Sequence, residues 1–149
     1  MRLDIGRRRA LQALAAGACL LAVRPASAAS AELDPVLREV FGGREIREGR
    51  VTLELPRLAE SGNVVPVTVS VDSPMTPQDH VKSIHLFAGK NPQPRVLDTQ
   101  LGPHNGVARV SSRIRIAQSQ QILAVAVMSD DSAWSAAVDV VVTITGCGD

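Results

Sequence analysis

The residue with the clearest chemistry in this chain is Cys147, the middle residue of Gly146-Cys147-Gly148. A cysteine between two glycines near a chain end has no bulky neighbours to restrict it, so we expect its thiol to be mobile and exposed. The preceding run, residues 136–144, is rich in β-branched side chains, which predicts a strand. Residues 145–149 are therefore expected to form a short arm on a rigid body. From Gly146 onward this arm extends on the order of 10 Å, at ~3.3–3.6 Å per residue.

The start of the chain is typical of an export signal. Arg7-Arg8-Arg9-Ala10-Leu11 matches a twin-arginine pattern, an apolar stretch follows, and Ala26-Ser27-Ala28 is a small-residue cleavage site. We therefore predict a signal over residues 1–28 and a periplasmic protein. The apolar stretch is too short to span a bilayer, so no stable membrane association is expected. A lipoprotein signal at Cys19 is the rival interpretation, although Ala16 stands where such signals usually have Leu.

Cleavage after residue 28 would leave Cys147 as the one remaining cysteine. In an oxidising compartment an unpaired cysteine indicates either pairing with another molecule or a reactive thiol. An accidental cysteine is the alternative, but an exposed thiol without a use is open to oxidation and disulfide exchange. The sequence therefore favours a functional thiol.

Histidines offer little support for a metal site. His80 and His85 are five residues apart across a predicted strand, which puts them on opposite faces if both lie on it, and His104 lies in a turn rich in Gly and Pro. Neither a phosphate-binding loop nor a serine hydrolase motif is present in the sequence. We expect no metal, no cofactor and no catalytic residue.

A row of arginines is the other charged feature. Arg109, Arg113 and Arg115 alternate with apolar or small residues, which predicts a solvated strand face, with docking or anion steering as the alternative. Met75 and Trp134 are candidates either for the core or for an interface.

The elements that must position the thiol follow from periodicity. Asp34 is a plausible N-cap with Pro35 at the first helical position, and Gly42-Gly43 ends this short helix. Its apolar face is expected either to pack on the chain's own sheet or to help dock a partner. After it, period-two patterning separated by turn residues predicts seven strands, at residues 51–55, 64–71, 81–88, 95–101, 107–116, 122–128 and 134–144. Seven short strands favour an all-β, immunoglobulin-like sandwich over residues 29–144.

Composition limits the partners. A chain of 149 residues that is 45% hydrophobic can bury one core and is expected to be one domain. Aromatic residues make up only 2% and Tyr is absent, so base-stacking platforms are lacking and nucleic acid is an unsuitable partner. The formal net charge is +1, and residues 1–28 carry five arginines against one aspartate, so the exported chain would carry −3.

Several segments together resemble the SoxY family, the sulfur-carrier subunits of the periplasmic thiosulfate-oxidising Sox system. These are the Gly-Cys-Gly tail, Gly62-Asn63-Val64-Val65-Pro66-Val67-Thr68-Val69, Asp72-Ser73-Pro74-Met75-Thr76 with Asp79-His80-Val81, and Met128-Ser129-Asp130 ahead of Trp134. The family's usual tail is Gly-Gly-Cys-Gly-Gly, whereas Thr145 and Asp149 replace the outer glycines here.

The resemblance implies a function and a set of partners. Cys147 would be the attachment point for sulfur substrate, on an arm made flexible by Gly146 and Gly148. SoxXA would conjugate thiosulfate to the cysteine, SoxB would hydrolyse off sulfate, and SoxCD, where present, would oxidise the remaining sulfane sulfur. A SoxZ-like subunit without its own signal would complete the carrier. The rival hypothesis is an exported immunoglobulin-like interaction subunit without covalent sulfur chemistry.

Overall fold

The computed structural model describes residues 28–144 of the chain. It contains one α-helix, α1 (Ala28–Phe41), and nine strands over that range. The strands are β1 (Ile46–Glu48), β2 (Val51–Glu54), β3 (Leu58–Ser61), β4 (Val65–Val71), β5 (Val81–Ala88), β6 (Arg95–Gln100), β7 (Arg109–Ile114), β8 (Gln120–Met128) and β9 (Ala133–Ile144). A 3₁₀ turn at Pro103–Asn105 lies between β6 and β7.

The strands form a sandwich of two sheets. The larger sheet has the order β1-β9-β8-β5-β6, with β3 also paired to β9, and the smaller sheet has the order β2-β4-β7. The pairs are antiparallel except that β1 and β3 run parallel to β9. The architecture confirms the predicted all-β, immunoglobulin-like sandwich.

Aliphatic side chains fill the space between the sheets. Val65 and Val69 of β4 belong to the same cluster as Ile84 and Leu86 of β5, and all four are fully buried. Strands β2, β4 and β7 of the smaller sheet alternate between residues that face the core and more exposed residues, so one face of this sheet lies in the core and the other faces solvent.

The outer face of the larger sheet is partly covered by α1. Leu33 and Phe41 of the helix pack with Phe87, Val125 and Val127 of the sheet to form a second apolar cluster. Strand β5 is consequently buried on both faces over most of its length. The apolar residues Leu33 and Phe41 of the helix therefore pack on the chain's own sheet, which was the first of the two expectations for this helix.

The predicted start of the helix is wrong, whereas its end is confirmed. The helix begins at Ala28, upstream of Asp34, and Pro35 lies inside it. Leu33 is only 2% exposed, and burying such a side chain stabilises by about 1.5–3 kcal/mol, comparable with the cost of ~3 kcal/mol for an internal proline. Gly89 permits this packing, because a Cβ there would stand 3.3 Å from Leu33 Cγ.

The helix ends where glycine allows the chain to turn. Gly42 has φ 62°, a left-handed conformation that favours glycine, and its N–H donates to the Arg38 carbonyl at 2.8 Å.

All seven predicted strands occur, within two residues at their starts and ends. The prediction missed β1 and β3, which have three and four residues and pair only with β9 among the described strands. Within residues 28–144, no helix has both the length and the apolar character needed to cross a membrane. The predicted signal, apart from Ala28, and the predicted arm lie outside the described residues, so the predicted domain boundaries stay predictions.

Candidate functional site

The predicted site residues Gly146, Cys147 and Gly148 lie outside the described residues. The structure does place the strand from which they follow. Strand β9 extends to Ile144, whose backbone is paired in parallel with Ser61 of β3. The base of the predicted arm is therefore part of a sheet.

Two further contacts fix this end of β9. Ser119, in the loop before β8, accepts a hydrogen bond from the Val142 N–H at 2.9 Å, and the Thr143 hydroxyl donates to the Glu60 carbonyl at 2.8 Å. These bonds hold the last residues of β9 between two neighbouring segments, so the described end of the strand is fixed on both sides.

The segments quoted for the resemblance lie at both ends of the sandwich. Gly62 and Asn63 form the turn after β3, directly after the residue that pairs with Ile144. At the other end, the hydroxyl of Ser129 donates to the Gln78 carbonyl and accepts from the His80 N–H, each at 3.1 Å. Ser129 thus joins two segments that are 49 or more residues apart in the sequence.

Met75 and Trp134 belong mainly to the body of the protein. Met75 is 5% exposed, has φ 51°, and its Sδ accepts from the Val81 N–H at 3.5 Å. Trp134 packs against the core between the sheets, and its indole N–H donates to Ser132 Oγ at 3.1 Å. Arg50 lies over its ring at 5.9 Å, within the range of a cation–π contact.

The structure assembles a polar cluster that the sequence did not suggest. His85 lies 8% exposed, with Nδ1 2.5 Å from Asp98 Oδ1 and Nε2 2.9 Å from Ser83 Oγ. A carboxylate only accepts, so Nδ1–H donates to Asp98, and in the neutral ring Nε2 accepts from Ser83. Arg95 donates to the other oxygen of Asp98. Burial opposes ionisation of Asp98, but the hydrogen bonds from His85 and Arg95 outweigh it and hold the pKa of Asp98 below its ordinary value.

This serine, histidine and aspartate have the order of hydrogen bonds found in a hydrolase triad. Ser83, however, is only 7% exposed, and a nucleophile needs an open position for its substrate. The ring of His85 is closed in by Phe41 of α1, whose ring centre lies 5.3 Å away in an edge-on arrangement. We therefore assign the cluster a structural role between helix and sheet.

The other two histidines lie apart from any group of metal ligands within the described residues. His80 contacts the Thr76 carbonyl at 3.1 Å, and His104 is exposed. Among residues 28–144 no group of three or more His, Cys, Asp or Glu side chains is arranged to hold a metal ion.

The predicted arginine row lies on an exposed strand face. Arg109 and Arg113 are exposed on β7, and Arg115 follows in the same alternation around buried Ile114. Arg109 forms an ion pair with Glu54 at 3.8 Å. Arg113 and Arg115 make no ion pair within the described part of the chain.

Comparison with known proteins gives a consistent result. A model of the family described as Sulfur oxidation protein SoxY matches residues 37–147. The solved structure of the sulfur carrier protein SoxY from Chlorobium limicola f thiosulfatophilum is similar, with a TM-score of 0.65, 28% identity, and coverage of 77% of this chain and 99% of that one. A search of the curated proteins gives no match.

Superoxide reductases share the fold at lower identity. The protein called neelaredoxin from Ignicoccus hospitalis matches with a TM-score of 0.56 and 17% identity, covering 63% of this chain and 80% of that one. The superoxide reductase from Nanoarchaeum equitans matches with a TM-score of 0.54 and 11% identity, covering 64% of this chain and 100% of that one. At such identities the likeness extends to the fold alone.

Proposed function

The chain belongs to the SoxY family of sulfur oxidation proteins, and we propose that it is a covalent sulfur carrier in thiosulfate oxidation that binds its substrate on Cys147. The observation that carries the proposal is the extent of the family match, which runs from residue 37 to residue 147 and so ends on the cysteine itself. The similar solved structure is that of a protein described as a sulfur carrier.

The body of the protein is suited to presenting a thiol. Strand β9 ends at Ile144, three residues before Cys147 in the sequence, and its end is held by β3 and by Ser119. A fixed base restricts where the thiol can travel, which raises its effective concentration at an enzyme docked on the same body. The chemistry itself would belong to the docked enzymes, so the chain is proposed to be a carrier without catalytic residues or cofactors of its own.

The proposed cycle follows from what the family membership implies. Conjugation joins the Cys147 sulfur to the sulfane sulfur of thiosulfate, releasing a proton, and the two electrons pass to the haem enzyme SoxXA. SoxB then hydrolyses the sulfonate end as sulfate and leaves a cysteine persulfide, which SoxCD oxidises where it is present. The carrier would work in the periplasm, after export by the twin-arginine route, together with a SoxZ-like subunit.

Intact-mass analysis of the protein isolated from cells grown on thiosulfate tests the proposal. We expect masses for added sulfur and for an added thiosulfonate group, located on Cys147 by peptide mapping and removed by a thiol reductant. The matched control is Cys147→Ser, which should carry neither adduct while retaining the thermal stability of the parent. An unmodified parent under these conditions would favour an interaction subunit without covalent sulfur chemistry.

A further inference from the structure

An arginine-lined cleft lies at the open edge of the sandwich. It has a volume of about 450 Å³ and is formed where β6 begins, where β7 ends, and by the loop between β5 and β6. We call it the edge cleft, and its lining residues are Asn91, Pro92, Gln93, Arg95, Val96, Arg113, Ile114 and Arg115. Because β6 and β7 are edge strands of different sheets, the cleft is open to solvent along one side.

The edge cleft is positively charged, whereas the described body of the protein carries a net negative charge. Three of its lining residues are arginines and none is acidic, within the part of the chain that the structure describes. Arg95 is paired with Asp98, whereas Arg113 and Arg115 have no carboxylate within ion-pair distance among the described residues. Residues 28–144 together carry 11 Lys and Arg against 13 Asp and Glu, a net charge of −2. The local charge is therefore opposite in sign to that of the body.

The loop wall of the cleft is fixed in place. The amide of Asn91 donates to the Arg115 carbonyl at 2.8 Å, and its carbonyl oxygen accepts from the Ala117 N–H at 2.8 Å and from Gln120 Nε2 at 3.0 Å. One side chain thus ties the loop to the segment that carries Arg115. A preformed wall of this kind loses little conformational entropy when a ligand binds.

The base of the predicted arm is close to this wall. Ile144 is the register partner of Ser61, and the next residue, Gly62, accepts a hydrogen bond from the Ile116 N–H at 2.8 Å. Adding standard backbone lengths along this route places the Cα of Arg115 within about 16 Å of the Cα of Ile144. Three extended residues span up to about 10 Å, and the arginine side chain and any group on the thiol shorten the remaining gap.

We propose that the edge cleft is a binding site for tetrahedral sulfur oxyanions, and that its occupant is the sulfonate end of the group carried on Cys147. The second half of this proposal rests on the proposed carrier function. A guanidinium presents paired N–H donors that match the oxygens of an oxyanion, and Arg113 and Arg115, two residues apart in the chain and both lining the cleft, can share it. The volume lies in the range of sites that hold ligands larger than a single ion, as a tethered group requires.

Docking in the cleft would shield the carried group between enzymes. A bound sulfonate is held away from thiols in solution, and an enzyme with a stronger positive site can draw it out. The edge cleft would then be a resting position for the loaded arm.

The first test measures sulfate binding to the purified chain. Binding is monitored by the shifts of backbone amide NMR signals as sulfate is added at constant ionic strength. We expect saturable shifts at Asn91, Gln93, Arg95 and residues 113–115, which chloride does not reproduce. Arg113→Gln combined with Arg115→Gln should weaken sulfate binding about tenfold or more, because two unit charges are removed from the site.

The control is Arg57→Gln, which replaces an exposed arginine next to β3. Arg57 makes no ion pair in the described residues, so its replacement should leave sulfate binding unchanged. Equal shifts with chloride, or no effect of the double variant, would overturn the site.

The second test asks whether the tethered group occupies the same cleft. Attack of the Cys147 thiolate on tetrathionate forms a thiosulfonate on the cysteine and releases thiosulfate, so the loaded protein can be made without an enzyme. Loading should shift the amides of the cleft and weaken its binding of free sulfate, and neither change should follow the same treatment of Cys147→Ser. If sulfate binds equally well before and after loading, the cleft serves free anions only and the tethered occupant is excluded. Failure of the carrier function itself would instead appear as absent adducts in cells, whatever the cleft binds.

Discussion

The contact between His85 and Asp98 joins two neighbouring strands of the larger sheet. The imidazole is buried between α1 and the larger sheet, and its two nitrogens are satisfied by Asp98 and Ser83. Leaving a buried polar group without a partner costs about 1–3 kcal/mol of stability, so removing either partner of the imidazole is expected to destabilise the fold. Asp98 also joins the cluster to Arg95 at the rim of the edge cleft.

Asp98→Asn should lower the free energy of unfolding at neutral pH, and the difference from the parent should shrink in acid. The pKa of the Asp98 carboxyl is held below its ordinary value of 3.8 by hydrogen bonds from His85 and Arg95, which outweigh the opposing effect of burial. The ionised carboxylate therefore stabilises the fold above about pH 4, and that stabilisation is lost as the pH falls through the lowered folded-state pKa. Urea denaturation of the parent and of Asp98→Asn at several pH values measures the difference in the free energy of unfolding.

The control for this prediction is Asp139→Asn, which removes an exposed carboxylate whose oxygen accepts from Gln121 at 3.1 Å. It reports the general effect of losing one negative charge. A gap between parent and Asp98→Asn that stays constant from pH 7 to pH 3 would contradict the assignment.

The sequence identified Cys147 as the chemical residue because its glycine neighbours are local in the chain. The pairing of His85 with Asp98 could not be predicted from the sequence, because it joins residues 13 positions apart on adjacent strands and depends on the register of those strands. Sequence spacing predicted opposite faces for His80 and His85 only if both lay on one strand, and β5 begins at Val81, after His80. The spacing also carried no information about which carboxylate would meet either ring.

Among the secondary-structure elements, α1 departs most from what its sequence indicates. Asp34-Pro35 is a good start signal by local rules, yet the helix begins at Ala28. Burial of Leu33 against the sheet, next to Gly89, offsets much of the cost of an internal proline. Tertiary packing of this kind is not visible in a single helical segment.

Phe41→Ala should destabilise the protein by about 3 kcal/mol. The ring is 8% exposed, and its centre lies 6.0 Å from that of Phe87 and 5.3 Å from that of His85, so its removal leaves a cavity between α1 and the sheet. Thermal or urea denaturation measures the loss, with the exposed Arg38→Ala on the same helix as the control, expected within about 0.5 kcal/mol of the parent. Equal stabilities for the two variants would mean that the helix does not anchor on the sheet.

The strands show which secondary-structure elements can be predicted from the sequence pattern. All seven predicted strands are present, both the alternating strands of the smaller sheet and strands such as β5 and β8 that are buried over most of their length. Strand β1 was missed because three residues are too few to establish a period, and β3 was missed because it exposes Leu58 and buries only Ala59. Both pair with β9, and β3 supports the end of β9 from which the arm follows, so a short and weakly patterned element contributes to the candidate site.

At the scale of the whole molecule, the two ends of the sandwich differ. The end at which β9 stops also carries the turn at Gly62 and Asn63 and the loop with Ser119. The opposite end joins the segments around Gln78 and Ser129. The overall fold could be predicted from composition and periodicity, whereas the edge cleft could not, because it forms between edge strands of different sheets.

Replacing Arg7, Arg8 and Arg9 together with lysine should block export while leaving the charge of the segment unchanged. The twin-arginine pathway reads the arginine pair itself, whereas a general secretory signal requires only positive charge. Fractionation of cells into periplasm and cytoplasm, followed by immunoblotting, measures the result. Arg2→Lys is the control and should export normally. A triple variant that reaches the periplasm in parental amounts would argue for the general secretory route.

The same export route leads to a prediction about assembly. A twin-arginine signal carries folded cargo, so a SoxZ-like partner without a signal would have to bind this chain before export. Such a complex needs an interface of at least ~1,000 Å² on the folded body, and it should not depend on the thiol. We therefore expect a small partner to co-purify from the periplasm with both the parent and Cys147→Ser, and to sediment with each as a heteromer. In cells that express the triple lysine variant, the partner should remain in the cytoplasm with it. A carrier that sediments as a monomer in the presence of the partner, or a partner that reaches the periplasm without it, would contradict this order of assembly and export.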